Sequence, residues 1–248
     1  MAEELPNPKM TLEQHSHRLR GHLLLMLLLL LVIWSVKIAE YLLEARFFTW
    51  GLFPRDWSGL IGILTMPFLH KDFPHLYANT FGVFVLGMGL FQFYEKVAVR
   101  VLLHSALWGG LLLWLFGRPS YHIGASGVIY SLSAFLFLAG VLRRDRSSIG
   151  AALVVSLLFG GSIWGVLPIH PGVSWEGHLF GAIVGCILAY SYRGIDLPPK
   201  EVNNDEDSVF TSINPDDVDD VYRDPLEEAD SRLNREKVKS DLHFQKQM

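Results

Sequence analysis

The chain has one cysteine, Cys186, in 248 residues. One cysteine cannot form an internal disulfide and leaves no cysteine-based zinc site. The HExxH zinc signature is also missing, and no cofactor or metal is expected. Nor is there a basic, aromatic-interleaved surface, so nucleic acid is not expected as a partner. The most informative absence is charge. Only 19% of residues are charged while 50% are hydrophobic, and the charges are unevenly spread. Up to Lys200 there are 15 Lys and Arg against 11 Asp and Glu, and from Glu201 onward 6 against 14. The net charge of −4 averages a core at +4 and a tail at −8, and describes neither.

The charge-free runs are long enough to cross a bilayer. About 20 apolar residues span a hydrocarbon core of about 30 Å. In that setting every backbone polar group must be satisfied internally, so the runs must be helices. Six are expected: Gly21 to Val36, the stretch between Asp72 and Glu95, that between Arg100 and Arg118, Pro119 to Leu142, Ser147 to about Leu167, and Ser174 to Tyr192. The first run, with Arg18 and Arg20 on its flank, also fits a signal peptide. However, no small-x-small cleavage site follows, and the helical pattern continues through Lys37, Glu40 and Glu44. This divides the chain into a short N-terminal segment (1–20), a six-helix domain (21–193) and an acidic tail (194–248).

Lys and Arg in the loops set orientation. One side collects Arg18, Arg20, Lys96, Arg100, Arg143, Arg144, Arg146, Arg193 and Lys200; the other holds Arg46, Arg55, Lys71 and Arg118. Both termini are therefore expected in the cytoplasm. The segment Tyr41 to Lys71, rich in Phe and Trp and broken by Pro54, Gly59, Gly62 and Pro67, reads as a partly embedded outer loop rather than a seventh span. Asn203 to Asp224 has too little apolar content to order itself. Beyond it, Asp224–Pro225 suits the start of a short helix.

Polar groups inside spans are costly, so each is a candidate functional residue. His75 and Asn79 are four apart in the second span and share a helix face. Ser126 and Tyr130, in GASGVIYS, do the same in the fourth. His178 opens the sixth, in WEGHLFGAIVG. Gly177, Gly181 and Gly185 repeat every four residues, which lets another backbone come close; Gly124 and Gly127 flank Ser126 in the same role. All three spans run from outside to inside. These groups therefore lie at a similar shallow depth, with Ser126 about two turns, roughly 10 Å, into its helix.

Each residue alone has a bland reading. A lone membrane serine usually bonds back to its own turn, and GxSG is common where helices touch. The conjunction at one depth is the signal. His70 and His170 read as loop residues and His104 lies at the wrong end. His122, four before Ser126, competes with His178 if it is helical, but otherwise lies in the loop after Pro119.

In GASG with a tyrosine four residues after the serine, in His178 of HLFGAIVG, and in HLYAN, the sequence resembles the rhomboid family of intramembrane serine proteases. The resemblance covers about Gly21 to Arg193 and implies an all-α membrane fold, a six-helix bundle with an embedded outer first loop. It implies Ser126 as nucleophile, His178 as general base, Tyr130 as a buttress for the imidazole, and His75, Asn79 and the Ser126 N–H as an oxyanion hole. Its substrates would be proteins with a single transmembrane segment, cut near the outer face of a bacterial plasma membrane. The acidic tail has no counterpart in the minimal family core, and its partner is unknown. Glu176, two residues from His178, does not share its helix face. An inactive rhomboid-like client-binding protein is the alternative, though such members typically lose the serine or histidine. A transporter would place charged residues deep along a path, and these spans carry none there.

Overall fold

The computed structural model describes residues 12–169 and 172–195. The expectations for the acidic tail, and for His170, lie outside them. Six long helices are present: α1 (Leu12–Leu42), α2 (Phe73–Phe93), α3 (Glu95–Phe116), α4 (Ser126–Arg143), α5 (Arg146–Phe159) and α6 (Trp175–Ser191). α5 continues as a 3-10 segment, Gly160–Val166. No strand occurs among the described residues; a single antiparallel bridge joins Leu52 to His122. The protein has an all-α membrane fold.

α1 to α4, and α5 with its 3-10 extension, are long and apolar enough to cross a bilayer. α6 has 17 residues, the short end of what a crossing takes. α1 turns Met26, Leu30 and Ile33 inward at helical spacing and leaves Leu24, Leu27, Leu28 and Leu31 exposed, as a lipid-facing helix should. It is held on α2 by Trp34 Nε1, which donates to Thr80 Oγ1 at 3.0 Å. At one end Arg18 pairs with Glu95 at 2.9 Å. At the other, buried Lys37 bonds Glu40 and the carbonyls of His70 and Lys71.

Lipid tails are as apolar as leucine, so helices associate through close packing and polar contacts. α4 and α6 form the most extensive pair. Their contact is made by glycine: a Cβ on Gly181 would fall 2.9 Å from the Gly127 carbonyl carbon, and one on Gly185 2.8 Å from that of Ser131. Gly127 itself faces the Gly177 carbonyl, 3.2 Å from a Cβ placed there. Ser105 and Ser131, both buried, join α3 to α4 at 2.7 Å.

The first loop is compact. Short helical turns at Phe47–Trp50, Ser58–Ile61, Gly62–Thr65 and Met66–Phe68 carry it across the ends of the helices. Leu52, Ile63 and Met66 bury against Leu113 of α3, while Trp50 and Trp57 stay exposed. Asp72 caps α2, its carboxylate accepting from the His75 N–H at 2.8 Å with Pro74 in the first turn. That cap fixes where α2 starts.

Three helices differ from the expected bounds: α1 is longer at both ends than Gly21 to Val36, α3 begins at Glu95, before Arg100, and α4 starts late. The fourth span begins at Ser126, not Pro119, so Ser126 is the first residue of α4 rather than two turns inside it. Gly124 adopts φ +113°, a left-handed conformation that ends the preceding extended segment. Its N–H bonds the Met66 carbonyl at 2.8 Å, which ties that segment to the first loop.

Candidate active site

The structure brings Ser126 and His178 together. Ser126 Oγ lies 2.9 Å from His178 Nε2, and His178 Nδ1 lies 2.9 Å from the Gly165 carbonyl. A carbonyl oxygen only accepts, so Nδ1 carries the proton and Nε2 is left as acceptor for the serine hydroxyl. That is the tautomer in which an imidazole can take a serine proton. Among the described residues no carboxylate bonds His178. Glu176 is buried and points to Arg118, with Oε1 3.6 Å from Nε. Glu176 and His178 thus face apart, as their spacing requires.

Tyr130 stacks flat on His178, with ring centroids 4.1 Å apart and planes 7° from parallel. Its hydroxyl donates to the Ser162 carbonyl. The 3-10 segment after α5 therefore holds both rings, through Ser162 and Gly165. Gly165 must lack a side chain, because a Cβ there would press on Tyr130 and come within 3.2 Å of His178 Nδ1.

The first turn of any helix leaves backbone N–H groups without partners, and its dipole favours negative charge there. No side chain caps α4, and the residue before it is Ala125. The Ser126 N–H is thus available beside its own hydroxyl. Asn79 is buried and donates one amide hydrogen to the His75 carbonyl at 2.9 Å, leaving its second for another acceptor. The His75 ring lies against Gly124, 2.8 Å from where a Cβ would sit. Gly124 is needed twice, for its φ and for this approach.

Ser126, His178, Tyr130, His75 and Asn79 line one open cavity of about 750 Å³. Arg118, Ser120, Tyr121 and His122 line it too, as do Gly172, Val173 and Ser174. The reactive groups open onto this cavity. Among the described residues no cluster could hold a metal ion.

His122 is not helical and does not contact Ser126. Its backbone pairs with Leu52, and its Nδ1 lies 2.6 Å from Ser174 Oγ. Burial holds its pKa below the ordinary histidine value. The sequence reading passed over His70. It is 3% exposed and packs edge-on against the His75 ring at 5.1 Å. Burial, reinforced by His75, pushes its pKa down to about 4. The five-residue spacing of His70 and His75 was its only trace in the sequence. The Gly165 carbonyl had none, since every residue has one.

The family model of the Rhomboid domain matches residues 57–194. An uncharacterized protein of Mycobacterium tuberculosis is 36% identical over 173 residues, 64% of this chain and 70% of that one. A putative rhomboid protein of Acanthamoeba polyphaga mimivirus is 28% identical over 152 residues, 59% of this chain and 82% of its own. RHOMBOID-like protein 2 of Arabidopsis thaliana is 28% identical over 129 residues, 52% and 41%.

Proposed function

The chain belongs to the rhomboid family of membrane proteins, and from that premise we propose that it is an intramembrane serine endopeptidase working through Ser126 and His178. The observation that carries the proposal is the 2.9 Å contact between Ser126 Oγ and His178 Nε2, with Nδ1 held by a main-chain carbonyl, opening on a water-accessible cavity.

In this reading the Ser126 oxygen attacks the scissile carbonyl carbon as His178 Nε2 takes the hydroxyl proton. The negative charge passes to the former carbonyl oxygen. The Ser126 N–H, the free Asn79 amide hydrogen and His75 face it, all neutral donors that avoid the cost of a buried cation. His178 then returns the proton to the departing amine, and the C–N bond breaks. Water, deprotonated by the same imidazole, releases the acyl group and restores the serine. Gly165 fixes the tautomer that a carboxylate fixes in a triad.

The substrates are single-span membrane proteins whose transmembrane segment unwinds near the site. The excess of Lys and Arg at the opposite ends of the helices supports cytoplasmic termini and a site facing outward, in a bacterial plasma membrane. His75, Asn79 and Tyr130 support the dyad, while Gly124, Gly127, Gly177, Gly181 and Gly185 permit the close approach of the elements that carry it. The acidic tail is assigned no partner in this reading.

The test is fluorophosphonate labelling and cleavage of a single-span model substrate. Ser126→Ala and His178→Ala abolish both, while the protein still inserts and folds. Asn79→Ala lowers turnover by an amount equivalent to about 2.7–4 kcal/mol. Residual cleavage by Ser126→Ala sinks the assignment.

A further inference from the structure

We infer that His122 is a positioning residue for the Ser126–His178 pair, acting through its hydrogen bond to Ser174. The inference rests on the proteolytic reading of that pair.

The two bonds are rungs of one ladder. His122 lies four residues before Ser126, and Ser174 four residues before His178. His122 Nδ1 meets Ser174 Oγ at 2.6 Å, and Ser126 Oγ meets His178 Nε2 at 2.9 Å; both rungs join residues 52 apart. A third lies beyond them, where Arg118 Nη2 donates to the Val173 carbonyl at 2.6 Å and its Nε faces Glu176. The His122–Ser174 bond is the middle rung, one step from the chemistry.

Both rails are stiff. On the first, the His122 N–H and C=O bond Leu52 at 2.8 and 3.0 Å, and the Gly124 N–H bonds Met66. On the second, the His178 N–H donates to the Ser174 carbonyl at 3.2 Å, the opening turn of α6. A displacement at Ser174 therefore passes to His178 through one turn of helix.

Ser174 also gives up its ordinary task. It is the N-cap residue of α6, where serine is favoured for bonding a first-turn N–H, yet its side chain makes no capping bond. The hydroxyl goes to His122 instead. The roles follow from the other ring nitrogen: His122 Nε2 lies 3.2 Å from the Arg118 carbonyl, which only accepts. The proton is thus on Nε2, and Nδ1 accepts from Ser174. His122 is 2% exposed, and leaving a buried acceptor without its donor is costly.

Four variants separate positioning from mere support: Ser174→Ala, His122→Ala, His122→Asn and His122→Gln. Asparagine places an acceptor where Nδ1 was; glutamine reaches only the Arg118 carbonyl. Fluorophosphonate labelling rate, kcat and KM on a single-span substrate, and thermal unfolding are measured in detergent. The expected result is a loss of about tenfold or more in kcat and labelling rate for Ser174→Ala and His122→Ala. KM stays within about twofold, His122→Asn recovers most of the loss and His122→Gln does not. Combining His122→Ala with Ser174→Ala adds nothing. Native rates in Ser174→Ala overturn the inference, as do equal losses in all four variants that track the midpoint of unfolding. If His122→Ala fails to fold, Ser174→Ala, which deletes one oxygen, decides alone. If the unmodified chain neither labels nor cleaves, the proteolytic reading fails separately. The ¹⁵N resonances of the His178 ring then judge His122: a shift in Ser174→Ala that His122→Asn avoids supports positioning, and no shift in any variant refutes it.

Discussion

Replacing Gly181 by alanine should disable the site without touching a reactive group. The new Cβ would lie 2.9 Å from the Gly127 carbonyl carbon and 3.2 Å from its Cα. Carbon atoms pack best at about 3.5–4.0 Å, the Gly127 carbonyl oxygen lies closer still to the new Cβ, and backbone cannot swing aside, so α6 must retreat from α4 by about 1 Å or more. Gly127 follows Ser126, and Gly181 is one turn beyond His178. The retreat therefore acts almost directly on the 2.9 Å bond between Ser126 and His178, stretching it to about 3.9 Å or more, past the range of a useful hydrogen bond. Overpacking should cost about 1–3 kcal/mol of stability, while a misplacement near 1 Å should cost about 100-fold in turnover. Gly185→Ala is the control. It meets the Ser131 backbone as closely, but sits seven residues past His178, about 10 Å along the helix. Its stability loss should match, and its activity loss should be smaller. The assay pairs thermal unfolding in detergent with the fluorophosphonate labelling rate. A native labelling rate in Gly181→Ala, or a larger activity loss in Gly185→Ala at equal stability, would refute the reasoning.

Tyr130 offers a finer test of the same surface. Tyr130→Phe keeps the stack on His178 and loses only the bond to Ser162, so turnover should fall by no more than about fivefold, the worth of one hydrogen bond near 1 kcal/mol; Tyr130→Ala should fall further, and equal losses would show that the stack contributes nothing. His70 predicts a pH dependence. Its folded pKa of about 4 lies below the ordinary 6.5, so the fold favours the neutral ring, and the stability it contributes is complete above pH 6.5 and lost as pH falls towards 4. By pH 5 the loss is about 2 kcal/mol. His75, Lys37, Glu40 and Lys71 surround it, so the measurement is the difference between the native chain and His70→Asn in thermal unfolding from pH 8 to pH 5. Parallel curves would remove His70 as the cause.

The spans were legible because charge marks their limits. Asp72 and Glu95 bracket α2 to within two residues, and Arg118 lies two residues past the end of α3, although Arg100 falls inside that helix. The facing of His75 with Asn79, and of Ser126 with Tyr130, followed from four-residue spacing. The start of α4 was not legible. A run free of charge from Pro119 onward hides a break made by one positive φ at Gly124, and glycine is ordinary in membrane helices. The pairing of Glu176 with Arg118 was hidden too, since a contact across 58 positions has no local signature. His70 is held between Lys37 of α1, which bonds its carbonyl, and the His75 ring, contacts that its own neighbours in sequence do not announce.

The acceptor that orients His178 belongs to the main chain. No codon change deletes it, and no protonation weakens it within the range where proteins stay folded. The chemical competence of the imidazole is thereby tied to the position of a single short segment, Gly160–Val166. Any ligand, lipid or substrate that displaces this segment by more than a bond's tolerance would free the ring to exchange tautomers and uncouple it from Ser126. For the proposed protease, an off-state would then be written in backbone geometry and would end as soon as the segment reseats.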